Sequence, residues 1–186
     1  MKNIPPSTTE IIKHFGLTAN YEAFSNPEVM QRGRLVTAAC HLIAAKKDLG
    51  DGWETRHPEC HGFIDAYRKF CREHRVTLLE AEREYYSGVY RYRSHPDQIV
   101  KLDDYPEPVD LELKSGSMPK WCQLQTAGQV LAIGNPRMKR FGLLLQVDAT
   151  YKLYPHTDWR DLDRFRSLID AYWVWQEFRP EGAIPI

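Results

Sequence analysis

The sequence predicts an α/β fold, a short central mixed β-sheet flanked by α-helices, on three observations. Apolar residues recur at helical spacing in the first third, after Trp121 and at the C-terminal end. The middle of the chain switches to a strand-like period, and a largely apolar run, Phe141 to Val147, reads as a buried strand. Helices, meander, helix, hairpin and helix follow one another without internal repeat, low-complexity stretch or linker. The 186 residues are therefore read as one domain, with an N-terminal helix and loop over residues 1–25.

Each element has a local cause. Ser7-Thr8-Thr9-Glu10 has capping-box spacing and starts a short helix ending near Gly16. Asn26-Pro27 supplies an N-cap and a first helical residue for a longer helix, with Val29, Gly33, Val36, Cys40 and Ile43 at helical spacing until Gly50 and Gly52. Pro58 opens a third helix, ending near His74, that buries Phe63, Ala66, Tyr67 and Phe70 and turns Arg68, Lys69, Arg72 and Arg75 outward. Val76 to Ser87 and Val89 to Arg93 read as two strands around Ser87-Gly88. Gln98 to Leu102 and Val109 to Lys114 pair around an Asp103 to Pro108 turn. A helix over Trp121 to Ile133 carries Leu124, Ala127, Gly128 and Leu131 on one face and is closed by Asn135-Pro136. Phe141 to Val147 and Tyr151 to Tyr154 form a hairpin around Asp148-Ala149, and Asp158 to Phe178 is the terminal helix.

Composition narrows the function classes. Lys and Arg number 25 against 25 Asp and Glu, so no global field draws the chain to DNA or an anionic membrane, and nucleic-acid contact must rest on a local basic strip. The longest nearly apolar stretch, Leu35 to Ala45, is interrupted by Thr37 and His41 and falls short of the ~20 residues that span a bilayer. No membrane span and no signal peptide are read, which predicts a cytoplasmic protein. Cys40, Cys60, Cys71 and Cys122 are scattered without a Cys-x-x-Cys pair, so reduced thiols are expected.

The chemistry concentrates in Val109-Asp110-Leu111-Glu112-Leu113-Lys114. Alternation turns Val109, Leu111 and Leu113 to a core face and Asp110, Glu112 and Lys114 to a row of charges. Asp97 begins the paired strand, so its carboxylate approaches Glu112 on that polar face. Carboxylates beside a backbone carbonyl suit Mg²⁺ or Mn²⁺. Such an ion polarises a phosphoryl oxygen and lowers the pKa of a bound water, and Lys114 stands where an ammonium would orient that water or stabilise growing negative charge. Glu112-Leu113-Lys114 is the only acid-x-Lys triplet in the chain. About one is expected by chance, so its strand context carries the weight.

With Ser94-His95-Pro96-Asp97, Glu112-Leu113-Lys114-Ser115-Gly116 and Gln125-Thr126-Ala127-Gly128-Gln129 in this order, the chain resembles the PD-(D/E)XK nucleases, in particular the RecB-like branch that includes lambda-type phage exonucleases. The resemblance covers about Arg32 to Trp175. It implies a restriction-endonuclease-like core with a catalytic hairpin at the sheet centre. It also implies Asp97 and Glu112 as metal ligands, a Leu113 carbonyl ligand, Lys114 acting on the attacking water and Gln125 supporting the site from a helix. Glu82 matches a further acid of that branch. Three positions depart from the pattern. The branch's first-helix histidine is replaced by Thr37, with His41 one turn on either a substitute ligand or a core histidine. Gly-Thr before the Pro-Asp pair is Ser94-His95, and the tyrosine of the helix motif is Gln129.

Other motifs are weaker. His57-Pro58-Glu59-Cys60-His61 lacks a second Cys/His pair for zinc, and no cysteine follows Cys122, which excludes the iron-sulfur arrangement of some relatives. Ser115-Gly116-Ser117 lacks the ending of a phosphate-binding loop. Arg68 and Arg72, with Arg91 and Arg93 before Asp97, are either a DNA-backbone track or a solvated charged face. Trp159, Tyr172, Trp173 and Trp175 read as core rather than as base-stacking residues. The expected function is Mg²⁺- or Mn²⁺-dependent hydrolysis of DNA phosphodiesters by an exonuclease in recombination or phage genome processing. By analogy the partners include a single-strand annealing protein or a helicase. The alternatives are a catalytically silent DNA- or protein-binding module on the same fold and a sequence-specific endonuclease.

Overall fold

The computed structural model describes residues 4–19 and 26–180; the loop expected before Asn26 falls largely outside them. Helix α1 (Thr8–His14) starts at Ser7, whose hydroxyl accepts the Glu10 N–H while the Glu10 carboxylate accepts the Ser7 N–H. Helix α2 (Pro27–Ala44) starts at Asn26, whose side-chain oxygen accepts the Val29 N–H. Both N-termini are thus satisfied by the cap residues that the sequence predicts. Helix α2 ends at Ala44 rather than running to Gly50, and a short helix α3 (Trp53–Arg56) follows Gly52 in a left-handed conformation. A 3₁₀ turn over Pro58–Cys60 leads into α4 (His61–Glu73), which buries Phe63, Ile64, Ala66, Tyr67 and Phe70.

Seven strands follow: β1 (Thr77–Ala81), β2 (Tyr85–Ser87), β3 (Tyr92–Ser94), β4 (Gln98–Lys101), β5 (Val109–Ser115), β6 (Lys139–Leu145) and β7 (Tyr151–Pro155). Helix α5 (Cys122–Ile133) connects β5 to β6, and α6 (Arg160–Phe178) ends the described chain. The main sheet runs β1-β4-β5-β6-β7, with β5 and β6 parallel and the other pairs antiparallel. The fold is therefore α/β with a mixed five-stranded central sheet flanked by helices. Strand β5 is central because its partners come from both sides: β4 through a turn and β6 through the crossover helix that a parallel pair requires.

Two helical layers bury the sheet. Helices α2 and α4 pack on Val100, Val109, Leu111, Leu113, Phe141, Leu143 and Leu145. A second cluster joins Ile11 and Ile12 of α1, Tyr92, Ala127 and Leu131 of α5, and Phe165 and Ile169 of α6. Gly128 permits that second layer: a Cβ there would stand 2.6 Å from Thr8 Cγ2 and 2.7 Å from the Phe165 ring.

Four expectations are corrected. Val76 to Ser87 is not one strand. It breaks at Glu82, whose φ of 48° leaves the strand region, so β1 stays in the main sheet while β2 pairs β3 in a separate ribbon. The second strand of that ribbon is Tyr92–Ser94 rather than Val89 to Arg93, because the chain turns through Arg91 at φ 55° and leaves Val89 exposed. The charged face of Val109 to Lys114 is not open, since Asp110 and Glu112 are 0% and 2% exposed beneath α5. Finally, α5 is closed by Gly134 in a left-handed cap, one residue before Asn135-Pro136. Among the described residues no helix is long and apolar enough to cross a membrane.

Candidate active site

The site forms because β4 is shorter than its partner. Pairing of β4 with β5 ends at Gln98 and Leu111, so Asp97 stands one step beyond, opposite Glu112. There the Asp97 carboxylate takes the place of a strand: its Oδ2 accepts the Leu113 N–H at 2.7 Å. In a strand a residue's N–H and C=O leave on the same side, so the Leu113 carbonyl opens there too. The Asp97 backbone carbonyl accepts the Glu82 N–H at 3.2 Å, and the left-handed backbone at Glu82 brings its side chain to the same place.

Lys114 is the hub of the polar set. Its ammonium donates to Glu112 Oε1 at 2.5 Å and to Gln125 Oε1 at 3.2 Å. The other carboxylate oxygen of Glu112 accepts the Gln129 side-chain N–H at 2.7 Å, so α5 holds both ends of the pair from one turn. Gln129 stands where the resembled pattern has tyrosine, and sequence reasoning gave it no role. Its i+4 spacing from Gln125 was the available signal.

Electrostatics set the protonation. Burial pushes the Asp97 carboxyl well above its usual range, Glu112 adds to this, and Lys114 and the Leu113 N–H oppose it. Asp110 is raised in the same way, by burial and then by Glu112 and Asp97, with Arg140 opposing. Burial disfavours the Lys114 ammonium, but Glu112 and Asp97 together hold it protonated above the usual lysine range.

These residues line a cleft of about 480 Å³ between α2 and the ends of β1, β4 and β5. The structure brings Asp97, Glu112, Leu113, Lys114, Glu82 and His41 together there, with Thr37 on the same wall, and Gln125 joins through Lys114. His41 Nδ1 is 3.8 Å from Glu82 Oε1, while its Nε2 is buried without a hydrogen-bond partner among the described residues. Burial lowers the His41 pKa against the pull of Glu82 and of the Asp97 carbonyl, which favours neutral imidazole.

The donor set decides whether a hard cation fits. Among the described residues no three His, Cys, Asp or Glu side chains form a ready ion cage. The cleft nevertheless offers the Asp97 and Glu112 carboxylates, the Leu113 carbonyl and an unpartnered His41 nitrogen, and Mg²⁺ needs only one or two carboxylates because it keeps several waters. Burial and the neighbouring Glu112 charge disfavour the ionised Asp97 carboxylate, a penalty that a cation relieves, and Lys114 pairs with Glu112. The residues fit Mg²⁺ or Mn²⁺.

The four arginines of the expected DNA track do not line the cleft. Arg68, on the outer side of α4, is paired with Glu54 at 2.9 Å and Asp65 at 3.2 Å, and Arg72 is exposed on the same helix. Arg91 lies over the Trp173 ring at 4.4 Å, and Arg93 donates to the Pro5 carbonyl and pairs with Glu84. The arginine that lines the cleft instead is Arg34. Of the terminal aromatics, Trp173 donates to the Tyr90 carbonyl and packs in the core, whereas Trp159 is 69% exposed. Compared with known proteins, the chain matches no family model and no curated sequence.

Proposed function

We propose that this cleft is the active site of a Mg²⁺- or Mn²⁺-dependent deoxyribonuclease on a restriction-endonuclease-like core, acting as an exonuclease in recombination or phage DNA processing. The observation that carries the reading is the convergence of Asp97, Glu112 and Lys114 at the end of β5, with the Asp97 carboxylate on the Leu113 N–H and the Lys114 ammonium on Glu112. Asp97, Glu112 and the Leu113 carbonyl would hold the ion, with His41 and Glu82 at its margin. When bound, it supplies Lewis-acid polarisation of a phosphoryl oxygen and a water of lowered pKa.

The chain's own residues do the rest. Lys114 enters as an ammonium and therefore acts as a donor: it orients an attacking water or stabilises negative charge on a phosphoryl oxygen. Gln125 and Gln129 fix Lys114 and Glu112, so that neither has to be ordered during the reaction. Arg34 on the cleft wall supplies positive charge for the DNA backbone.

A second reading, a silent nuclease-fold module that binds DNA or protein, is favoured by one observation: Lys114 and Glu112 already satisfy one another. Cleavage of end-labelled linear duplex, single-stranded and circular DNA in Mg²⁺ or Mn²⁺, with Lys114→Ala as control, separates the two. The nuclease reading expects label to leave linear DNA with wild type and not with the variant. DNA that is retarded in a gel yet left intact by both proteins supports the silent module.

A further inference from the structure

The face of α5 that serves the site has a third member. Gln125 and Gln129 reach the Lys114–Glu112 pair from positions one helical turn apart, and one turn before Gln125 stands Trp121. The Trp121 backbone is helical, with φ −71° and ψ −10°, and its carbonyl accepts the N–H groups of Leu124 at 2.9 Å and Gln125 at 3.0 Å. Its side chain packs against the cluster that contains Ala127, Leu131 and Phe165. The ring is thus held by the fold, and Lys114 Nζ lies over it, 5.2 Å from the centroid. That is inside the ~6 Å over which an aromatic face attracts an ammonium.

An ammonium has three N–H groups to place. Two meet oxygen acceptors, Glu112 Oε1 at 2.5 Å and Gln125 Oε1 at 3.2 Å. The Lys114 side chain is only 14% exposed, so water is a poor third partner, and the Trp121 ring supplies a further contact in its place. These partners differ in what they lose when an N–H turns away. A buried carboxylate or amide oxygen stripped of its donor is left unsatisfied, whereas a π face needs no hydrogen bond of its own. Contact with Trp121 is therefore the one Lys114 gives up most cheaply when water or a phosphoryl oxygen arrives.

We propose that Trp121 is a positioning residue for Lys114: its π face holds the ammonium beside Glu112 and leaves one N–H for the attacking water or the phosphoryl oxygen. The proposal rests on the nuclease reading and deepens it at the same site. Its first test is a proton–carbon correlation spectrum of protein carrying isotope-labelled lysine. The ε-methylene protons of Lys114 are expected upfield of the other lysines in wild type, shielded by the indole ring current. Trp121→Leu returns that signal to the range of the others, and Trp121→Phe keeps it upfield. Its second test is the initial rate of nucleotide release in saturating Mn²⁺. Trp121→Leu is expected to lower kcat about 2- to 30-fold, the rate equivalent of a cation–π contact, with KM for DNA unchanged. Trp121→Phe restores most of the loss.

A Lys114 signal among the other lysines in wild type overturns the assignment, and this measurement needs no substitution, so it decides even if Trp121→Leu fails to fold. A wild-type kcat in Trp121→Leu, an equal loss in Trp121→Phe, or a loss carried by KM alone overturns it as well. In each of these cases cleavage by wild type leaves the nuclease reading standing. Absence of cleavage by wild type removes the two together.

Discussion

Replacing Gln129 by leucine separates support of the site from support of the fold. Gln129 and Glu112 are 1% and 2% exposed, and their bond of 2.7 Å joins an amide donor to a carboxylate. A hydrogen bond to a charged partner contributes about 1.5–3 kcal/mol, which Gln129→Leu removes. The same substitution also removes Gln129 Oε1, a buried oxygen without a hydrogen-bond partner among the described residues, whose desolvation costs roughly 1–3 kcal/mol. The two nearly offset, so stability should change by less than about 2 kcal/mol, or a few degrees in Tm for a chain of ~150–250 residues. The site does not recover in that way, because Glu112 is left free to rotate towards Lys114 alone. Loss of a partner that orients a metal ligand lowers metal affinity or activity by about 10- to 100-fold. Initial rates of nucleotide release across a Mn²⁺ titration, with melting measured alongside, read both quantities. An unchanged Mn²⁺ midpoint and unchanged rate in Gln129→Leu would refute the assignment of Gln129 as a positioning residue.

Burial, aided by Arg140, pulls the His156 imidazole down from 6.5 to about 4, so folded His156 stays neutral while the unfolded chain binds the proton first. Its contribution is fully present above pH 6.5 and is lost as pH falls through about 4, on the order of 3 kcal/mol. Urea unfolding from pH 7 to 4 should show this slope, and His156→Asn should remove most of it; equal slopes would contradict the prediction. A Cβ on Gly62 would stand 1.7 Å from the Val147 carbonyl oxygen, a backbone atom that cannot step aside cheaply. Gly62→Ala should therefore cost at least ~1–3 kcal/mol in denaturant unfolding, and a neutral result would mean that the 145–151 turn is looser than its packing implies. Arg34→Ala should reduce the salt slope of DNA binding by about one, since each phosphate contact contributes ~0.9. Arg68→Ala should leave that slope unchanged because Arg68 is committed to Glu54 and Asp65; the reverse ranking would restore the α4 face as the DNA track.

Local chemistry made much of this legible. Ser7 and Asn26 announce their helices because a cap needs only its own neighbours. The Asp97, Glu112 and Lys114 set could be found because strand period fixes which side chains share a face and a hairpin fixes what stands opposite. What failed depends on distant parts of the chain. The polar face of β5 is buried because α5 folds back over it, so Asp110 and Glu112 become interior acids. The break at Glu82 follows from pairing to β4, which an alternating sequence does not reveal. The four arginines lie outside the cleft, and the partners of two of them are distant in the chain: Glu54 lies 14 residues from Arg68, and Pro5 lies 88 from Arg93. Gln129 was hidden for another reason: read as a departure from tyrosine, it looked like a loss, whereas its amide reaches Glu112 directly.

The account stands on Asp97 and Glu112 forming a cation site, and thermal melting with and without Mn²⁺ tests that most directly. A cation bound only by the folded state adds ~2.7 kcal/mol at 100 times its Kd. For a chain of this length that raises Tm by roughly 5–11 °C. Wild type should show this rise at millimolar Mn²⁺, and Glu112→Gln, which keeps the shape and removes the charge, should not. No rise in wild type, or an equal rise in both proteins, would contradict the claim that these carboxylates hold the metal.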